Sequence, residues 1–178
     1  EAVERWLSTA VWSRVVECLA AYPQPVYLVG GTLRDAILGV RAKDLDVAVE
    51  GDAIGLGRHL AESLHGSFYA MDRAHGVGRV ILQHGHERYH IDLASLRGAT
   101  IMDDLQARDL TINAMGMSLS RGLGELLDPT GGFGDLDEHI IRHAYTNAFV
   151  DDPVRILRAV RLGGALGFAM HSSTREMI

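Results

Sequence analysis

One cysteine, four prolines and an aromatic content of 6% leave few of the devices that hold small or fibrous proteins together in this 178-residue chain. Cys18 alone can form no internal disulfide. Its apolar, helically spaced neighbours read it as a core residue, and a reducing cytoplasm is the expected setting. No apolar run approaches a membrane span, and no signal-peptide pattern opens the sequence, so no membrane partner is expected. No internal repeat or low-complexity tract is visible. Positive charge is also short: 17 Lys and Arg stand against 23 Asp and Glu, a net charge of −6. That balance argues against a nucleic-acid binder working by bulk positive charge. What is present is an apolar content of 47% with 22% charged residues, an ordinary soluble composition with enough length for one full domain and the start of another.

The most informative stretch runs from Tyr27 to Gly51. Val26 to Val29 reads as a buried strand, a short apolar run bounded by turn residues. Gly30 and Gly31 allow a sharp exit and leave backbone N–H groups bare for an anion such as a phosphate. Thr32 to Leu38 is a short helix with apolar Leu33, Ile37 and Leu38, stopped by Gly39. A second strand covers Leu45 to Val49. Alternation along it turns Asp44 and Asp46 to one side and Leu45 and Val47 to a core. Paired carboxylates repel unless a cation lies between them, and hard oxygen ligands at this spacing suit Mg²⁺, which also favours substrate phosphates. A double glycine or a DxD alone is often only a turn or an exposed strand end. Their order here, strand, GG, Arg-Asp, helix and DxD strand, is far more specific.

Elsewhere, the periodicity predicts an amphipathic helix over Glu4–Ala21, ended by Pro23 and Pro25. A helix capped by Asp52 should run to about Leu64. Ser67–Met71, Val77–Gln83 and Arg88–Ala94 read as strands joined by turns, giving a mixed sheet with helices packed on it. His84, His86 and His90 invite a zinc site, but a solvated hairpin is the better reading, because no cysteine or HExxH helix accompanies them. Asp92, between Ile91 and Leu93, is either a third carboxylate converging on the metal pair or a surface aspartate. Asp109 and Thr111 can cap a helix start. The glycine-rich 127–136 segment, LDPTGGFGDL, reads as a connector. Asp152 followed by Pro153 is a strong helix start, and Arg155, Arg158 and Arg161 form a basic stripe that could equally be a solvated face.

GGTLRD followed by KDLDVAV resembles the signature of class II tRNA nucleotidyltransferases, the bacterial and eukaryotic CCA-adding enzymes and their relatives, within the polymerase β-like superfamily. RDLTINA and DDPVRILRAVR resemble further motifs of that family, and the likeness covers nearly the whole chain. The resemblance implies an α+β fold: a nucleotidyltransferase head with a mixed, largely antiparallel sheet and flanking helices over residues 1–136, then the beginning of an all-helical neck over 137–178. The 127–136 connector would be the hinge between them, and the family's body and tail would be missing from this chain. It also implies two Mg²⁺ held by Asp44 and Asp46, with Asp92 as a possible third carboxylate. Gly30, Gly31, Arg34 and Arg108 would position phosphates, with Asp35 completing the flanking motif. Asp109 would accept from ribose hydroxyls with Asn113 in support, and Arg158 would join the nucleotide site.

Asp152 and Arg155 would read the base. A carboxylate only accepts and a guanidinium only donates, so together they fit an edge with an amino group beside an acceptor nitrogen. Cytosine and adenine have that edge; uracil and guanine present a carbonyl to the carboxylate. Two departures stand out: Ala107 replaces the first of two arginines usual in the family, and Asp151 replaces the glutamate of its Glu-Asp-x-x-Arg motif. The implied activity is template-independent addition of C, A or both from CTP and ATP to a tRNA 3′ end, which an acidic, metal-holding site with local RNA contacts permits. An enzyme adding only A, only CC or poly(A), and a non-catalytic nucleotide-binding module, stay open. Oligomeric state is not encoded legibly.

Overall fold

Alternating apolar residues in the first two-thirds of the chain build a seven-stranded sheet in the computed structural model, which describes residues 1–40, 42–120 and 122–178. The N-terminal helix expected over Glu4–Ala21 is two helices, α1 (Ala2–Leu7) and α2 (Ala10–Ala20). The break has a local cause. Ser8 Oγ donates to the Arg5 carbonyl, Thr9 Oγ1 donates to the Trp6 carbonyl, and Thr9 itself is extended. Hydroxyls that bond back to the preceding turn compete with the helical ladder.

Strand β1 (Val26–Val29) leads directly into α3 (Gly30–Ile37), which starts two residues earlier than the periodicity suggests. Gly30 lies at φ +71° and its N–H donates to the Met115 carbonyl, so this amide is not bare. Next come β2 (Asp44–Val49), α4 (Ala53–Leu64), β3 (Ser67–Asp72), β4 (Val77–His84) and β5 (Glu87–Ser95). Asp52 caps α4 as expected, its carboxylate accepting the Gly55 N–H at 2.8 Å. The chain continues through α5 (Ile101–Gln106), a single 3₁₀ turn at Thr111–Asn113, β6 (Gly116–Ser118) and β7 (Leu126–Leu127).

The strand order is β3-β4-β5-β2-β1-β6-β7. β2 and β5 pair in parallel, and the other paired neighbours in this sheet are antiparallel. On the core face, Leu45, Val47 and Val49 of β2 and Ile91 and Leu93 of β5 join Leu33, Leu56 and Leu60 from α3 and α4. On the other face Val29 and Ala48 pack against Ile101 and Leu105 of α5, leaving Asp46 beside a smaller apolar patch.

The expected connector at 127–136 already contains a helix, α6 (Gly132–Asp137), because Asp128 accepts the Gly132 and Phe133 N–H groups at 2.7 and 2.9 Å. β8 (Ile140–Ile141), α7 (Ala148–Asp151), α8 (Val154–Leu166), β9 (Ala169–Met170) and α9 (Ser172–Arg175) complete the chain. The division expected after residue 136 falls inside α6, and Leu136, Ile141, Ala148, Phe149, Ala159 and Phe168 belong to the same apolar core as the strands. Pro153 stands at the N-terminus of α8 with helical dihedrals, and the extended Asp152 accepts the Val154 N–H at 3.1 Å. Among the described residues no helix is long and apolar enough to cross a membrane.

Candidate active site

The parallel pairing of β2 with β5 places Asp46 opposite Asp92. Both line a cleft of about 760 Å³ whose other walls come from α3, the 3₁₀ corner and α8. Every predicted site residue lines this cleft except Asp44: Gly30, Gly31, Arg34, Asp46, Asp92, Arg108, Asp109, Asn113, Asp152, Arg155 and Arg158. Arg97 and Arg161, which the sequence did not single out as site residues, line it too.

Asp46 is fixed by a reciprocal clasp with α3. Its Oδ2 accepts the Thr32 N–H at 3.3 Å, and its own N–H donates to Thr32 Oγ1 at 3.0 Å. Burial pushes its carboxyl above the ordinary range; the Thr32 bonds and Arg108 oppose that shift, and the neighbouring Asp92 adds to it. A buried carboxylate made costly by a second one beside it is a fitting place for a cation. Asp44 lies on the same side of β2 but is 65% exposed, and its Oδ1 meets His90 Nδ1 at 2.8 Å. Among the described residues no three His, Cys, Asp or Glu side chains converge on one metal position. Two hard carboxylates on adjacent strands, Asp46 and Asp92, suit a divalent ion completed by oxygens from elsewhere, such as phosphates. His84 sits at the β4–β5 hairpin opposite Glu87, and His90 turns to Asp44.

Asp92 is neither a bare surface aspartate nor a free third ligand. Arg79 of β4 forks onto it through Nε and Nη2, the latter at 2.6 Å. Nothing in the local sequence signals this pair, since it depends on the antiparallel register of β4 with β5.

The corner after α5 is a chain of charge-assisted bonds. Asp104, almost fully buried, grips Arg108 through its Nε and Nη2 at 3.0 and 2.8 Å. A Cβ on Gly30 would come within 3.0 Å of Arg108 Nη1, so glycine there lets the guanidinium reach the cleft. Arg34 donates to Asn113 Oδ1 at 2.6 Å and to Asp35 at 2.8 Å, and Asn113 donates to Asp109 Oδ1 at 3.3 Å. Asp109 and Thr111 do not cap an α-helix. Only one 3₁₀ turn forms, with Leu110 at its N-cap; Asp109 accepts the Leu110 N–H, and Thr111 Oγ1 donates to Asp135 at 2.7 Å. Asp109 Oδ2 is buried, makes no hydrogen bond, and lies 2.9 Å from Arg158 Nε of α8 as a charge contact.

Across the cleft, Asp152 Oδ2 lies 3.6 Å from Arg155 Nε. The accepting and donating groups are thus adjacent on one wall, while the Asp46–Asp92 pair forms the other.

Residues 26–142 match the family model described as the Poly A polymerase head domain. A CC-adding tRNA nucleotidyltransferase of Geobacter sulfurreducens is 41% identical over 152 residues, which cover 85% of this chain and 34% of that enzyme. An A-adding tRNA nucleotidyltransferase of Aquifex aeolicus is 37% identical, covering 85% of this chain and 20% of the enzyme. Among solved structures, a CCA-adding enzyme with CTP superposes with a TM-score of 0.87 at 33% identity, over 98% of this chain and 43% of the other. The Thermotoga maritima CCA-adding enzyme complexed with tRNA gives a TM-score of 0.84 at 34% identity, over 98% of this chain and 42% of the other. The chain thus spans well under half the length of these relatives.

Proposed function

The chain belongs to the Poly A polymerase head-domain family, and from that premise we propose that it carries the catalytic and nucleotide-reading part of a template-independent RNA nucleotidyltransferase. The reaction is transfer of a C or A nucleotide from CTP or ATP to the 3′-hydroxyl of a tRNA, with release of pyrophosphate. The observation that supports it best is the shared cleft, with Asp46 and Asp92 on one wall and Asp152 and Arg155 on the other. Relatives named for adding CC and for adding A, and solved relatives with CTP, ATP and tRNA, point the same way.

The residues have separable tasks. Asp46, with Asp44 on the same side of β2, would hold Mg²⁺, which when bound would neutralise phosphate charge and favour the attacking oxygen. Arg108 presents Nη1 to the phosphates while Asp104 holds the rest of its guanidinium. Asp109 accepts from the ribose, and Arg34 holds that corner through Asn113 rather than reaching out itself. Arg158 exchanges Asp109 for a phosphate or ribose oxygen. Asp152 accepts the amino group of the base, and Arg155 donates to its ring nitrogen. This logic admits both C and A, so CC-only, A-only, full CCA and poly(A) addition all satisfy the site.

The deciding experiment incubates the chain with Mg²⁺, each labelled nucleotide, and tRNAs ending before CCA or after CC. Incorporation of C or A but not U or G supports the reading. Binding of nucleotides without incorporation, by this chain and by a version extended to its relatives' length, favours a non-catalytic module.

A further inference from the structure

Asp151 stands where the family's base-reading motif carries a glutamate, and an aspartate arm is one methylene shorter. The hydroxyl of Tyr145 fills the missing reach. Tyr145 O–H donates to Asp151 Oδ2 at 2.7 Å, and Arg155 Nη1 donates to the same hydroxyl oxygen at 3.0 Å. The guanidinium carbon of Arg155 also lies 5.7 Å from the centre of the Tyr145 ring. Its remaining tethers are the Ala148 carbonyl, 3.5 Å from Nη1, and Asp152, 3.6 Å from Nε. Among the described residues, Nη2 has no hydrogen-bond partner.

The donors run in one direction, guanidinium to phenol to carboxylate, so each bond polarises the next. We propose that Tyr145 is a positioning residue: its hydroxyl relays Asp151 to Arg155, fixes the guanidinium plane, and leaves Nη2 free to donate to the incoming base. The Asp151 bond also holds the phenol above its ordinary pKa. Tyr145 lies in the segment between β8 and α7, outside the motif whose aspartate it completes. The inference rests on the assignment of Asp152 and Arg155 as the base-reading pair.

The test measures binding of CTP, ATP, UTP, GTP and inorganic tripolyphosphate, in Mg²⁺, to the wild-type chain, to Tyr145→Phe, and to Tyr145→Phe combined with Asp151→Glu. Wild type should favour CTP and ATP. Tyr145→Phe should shrink that preference about tenfold, the scale of one charge-assisted hydrogen bond, with tripolyphosphate binding unchanged. Asp151→Glu in the Phe background should restore the preference, because the longer arm reaches Arg155 directly. An unchanged preference in Tyr145→Phe overturns the relay alone. So does a loss shared equally by tripolyphosphate, or one that Asp151→Glu leaves unrepaired. Equal binding of all four nucleotides by wild type overturns the base-reading assignment, and the relay with it.

Discussion

Asp46 and Asp92 stand opposite one another on adjacent parallel strands, and only Asp92 is gripped by a guanidinium, that of Arg79. The two carboxylates therefore differ in kind. One is matched within the fold, and the other is buried with only Thr32 bonds and the more distant charge of Arg108 to offset its own. Asp46→Asn should raise the thermal stability of the ligand-free chain, by roughly 2–4 °C for each kcal/mol of desolvation recovered. The same substitution should abolish Mg²⁺-dependent nucleotide binding. Calorimetry with and without CTP and Mg²⁺ checks both, and a lower Tm would mean that Asp46 is well compensated.

Arg79→Gln should act oppositely on the ion. Removing a cation beside two carboxylates makes the site more negative, so half-saturation by Mg²⁺ in nucleotide binding should fall to a lower concentration. The cost in stability should be modest, about 1 kcal/mol, because the pair is partly exposed to solvent. A titration needing more Mg²⁺ than wild type would assign Arg79 to substrate rather than to Asp92.

Gly132→Ala should be damaging although it lies far from the motifs in sequence. An added Cβ would overlap the Thr111 carbonyl at the corner carrying Asp109 and Asn113. Backbone cannot swing aside as a side chain does, so a loss of about 2 kcal/mol is expected, with weaker nucleotide binding. Denaturant unfolding measures the first, and an unaltered midpoint would show that α6 can shift without cost.

His143 predicts the acid side of the stability profile. Its Nδ1 lies 2.9 Å from Thr174 Oγ1. Burial, then the charges of Arg142 and His171, hold its pKa below the ordinary 6.5. The unfolded chain takes up this proton near the ordinary value, and the folded chain resists it. Stability present above that pH should therefore drain away as pH falls from there to the depressed folded value. His143→Gln should remove this part of the slope; a Tm–pH curve identical to wild type would assign the acid loss to carboxylates.

Where the sequence was readable, spacing carried the information. Alternation put Asp44 and Asp46 on one side of β2 and Asp92 on the same side of β5, and Asp152 with Pro153 marked the start of α8. What escaped was partnership between elements. The Arg79–Asp92 fork, the grip of Asp104 on Arg108 and the Tyr145 bridge to Asp151 and Arg155 depend on register or on chain geometry that motif reading does not supply. Two local features were missed for a different reason. Apolar periodicity is blind to hydroxyls, so it ran α1 and α2 together across Ser8 and Thr9, and it gave no warning that the Asp109 corner makes only a 3₁₀ turn.

Four of the six cleft arginines, Arg34, Arg108, Arg155 and Arg158, already face a carboxylate: Asp35, Asp104, Asp152 and Asp109. At those four an incoming triphosphate would trade places with internal anions, which leaves Arg97 and Arg161 as the cations whose counterions it would release. Affinity should change only gently with ionic strength. Because those carboxylates stand ready to reclaim their arginines, the proposed reaction would let pyrophosphate depart quickly.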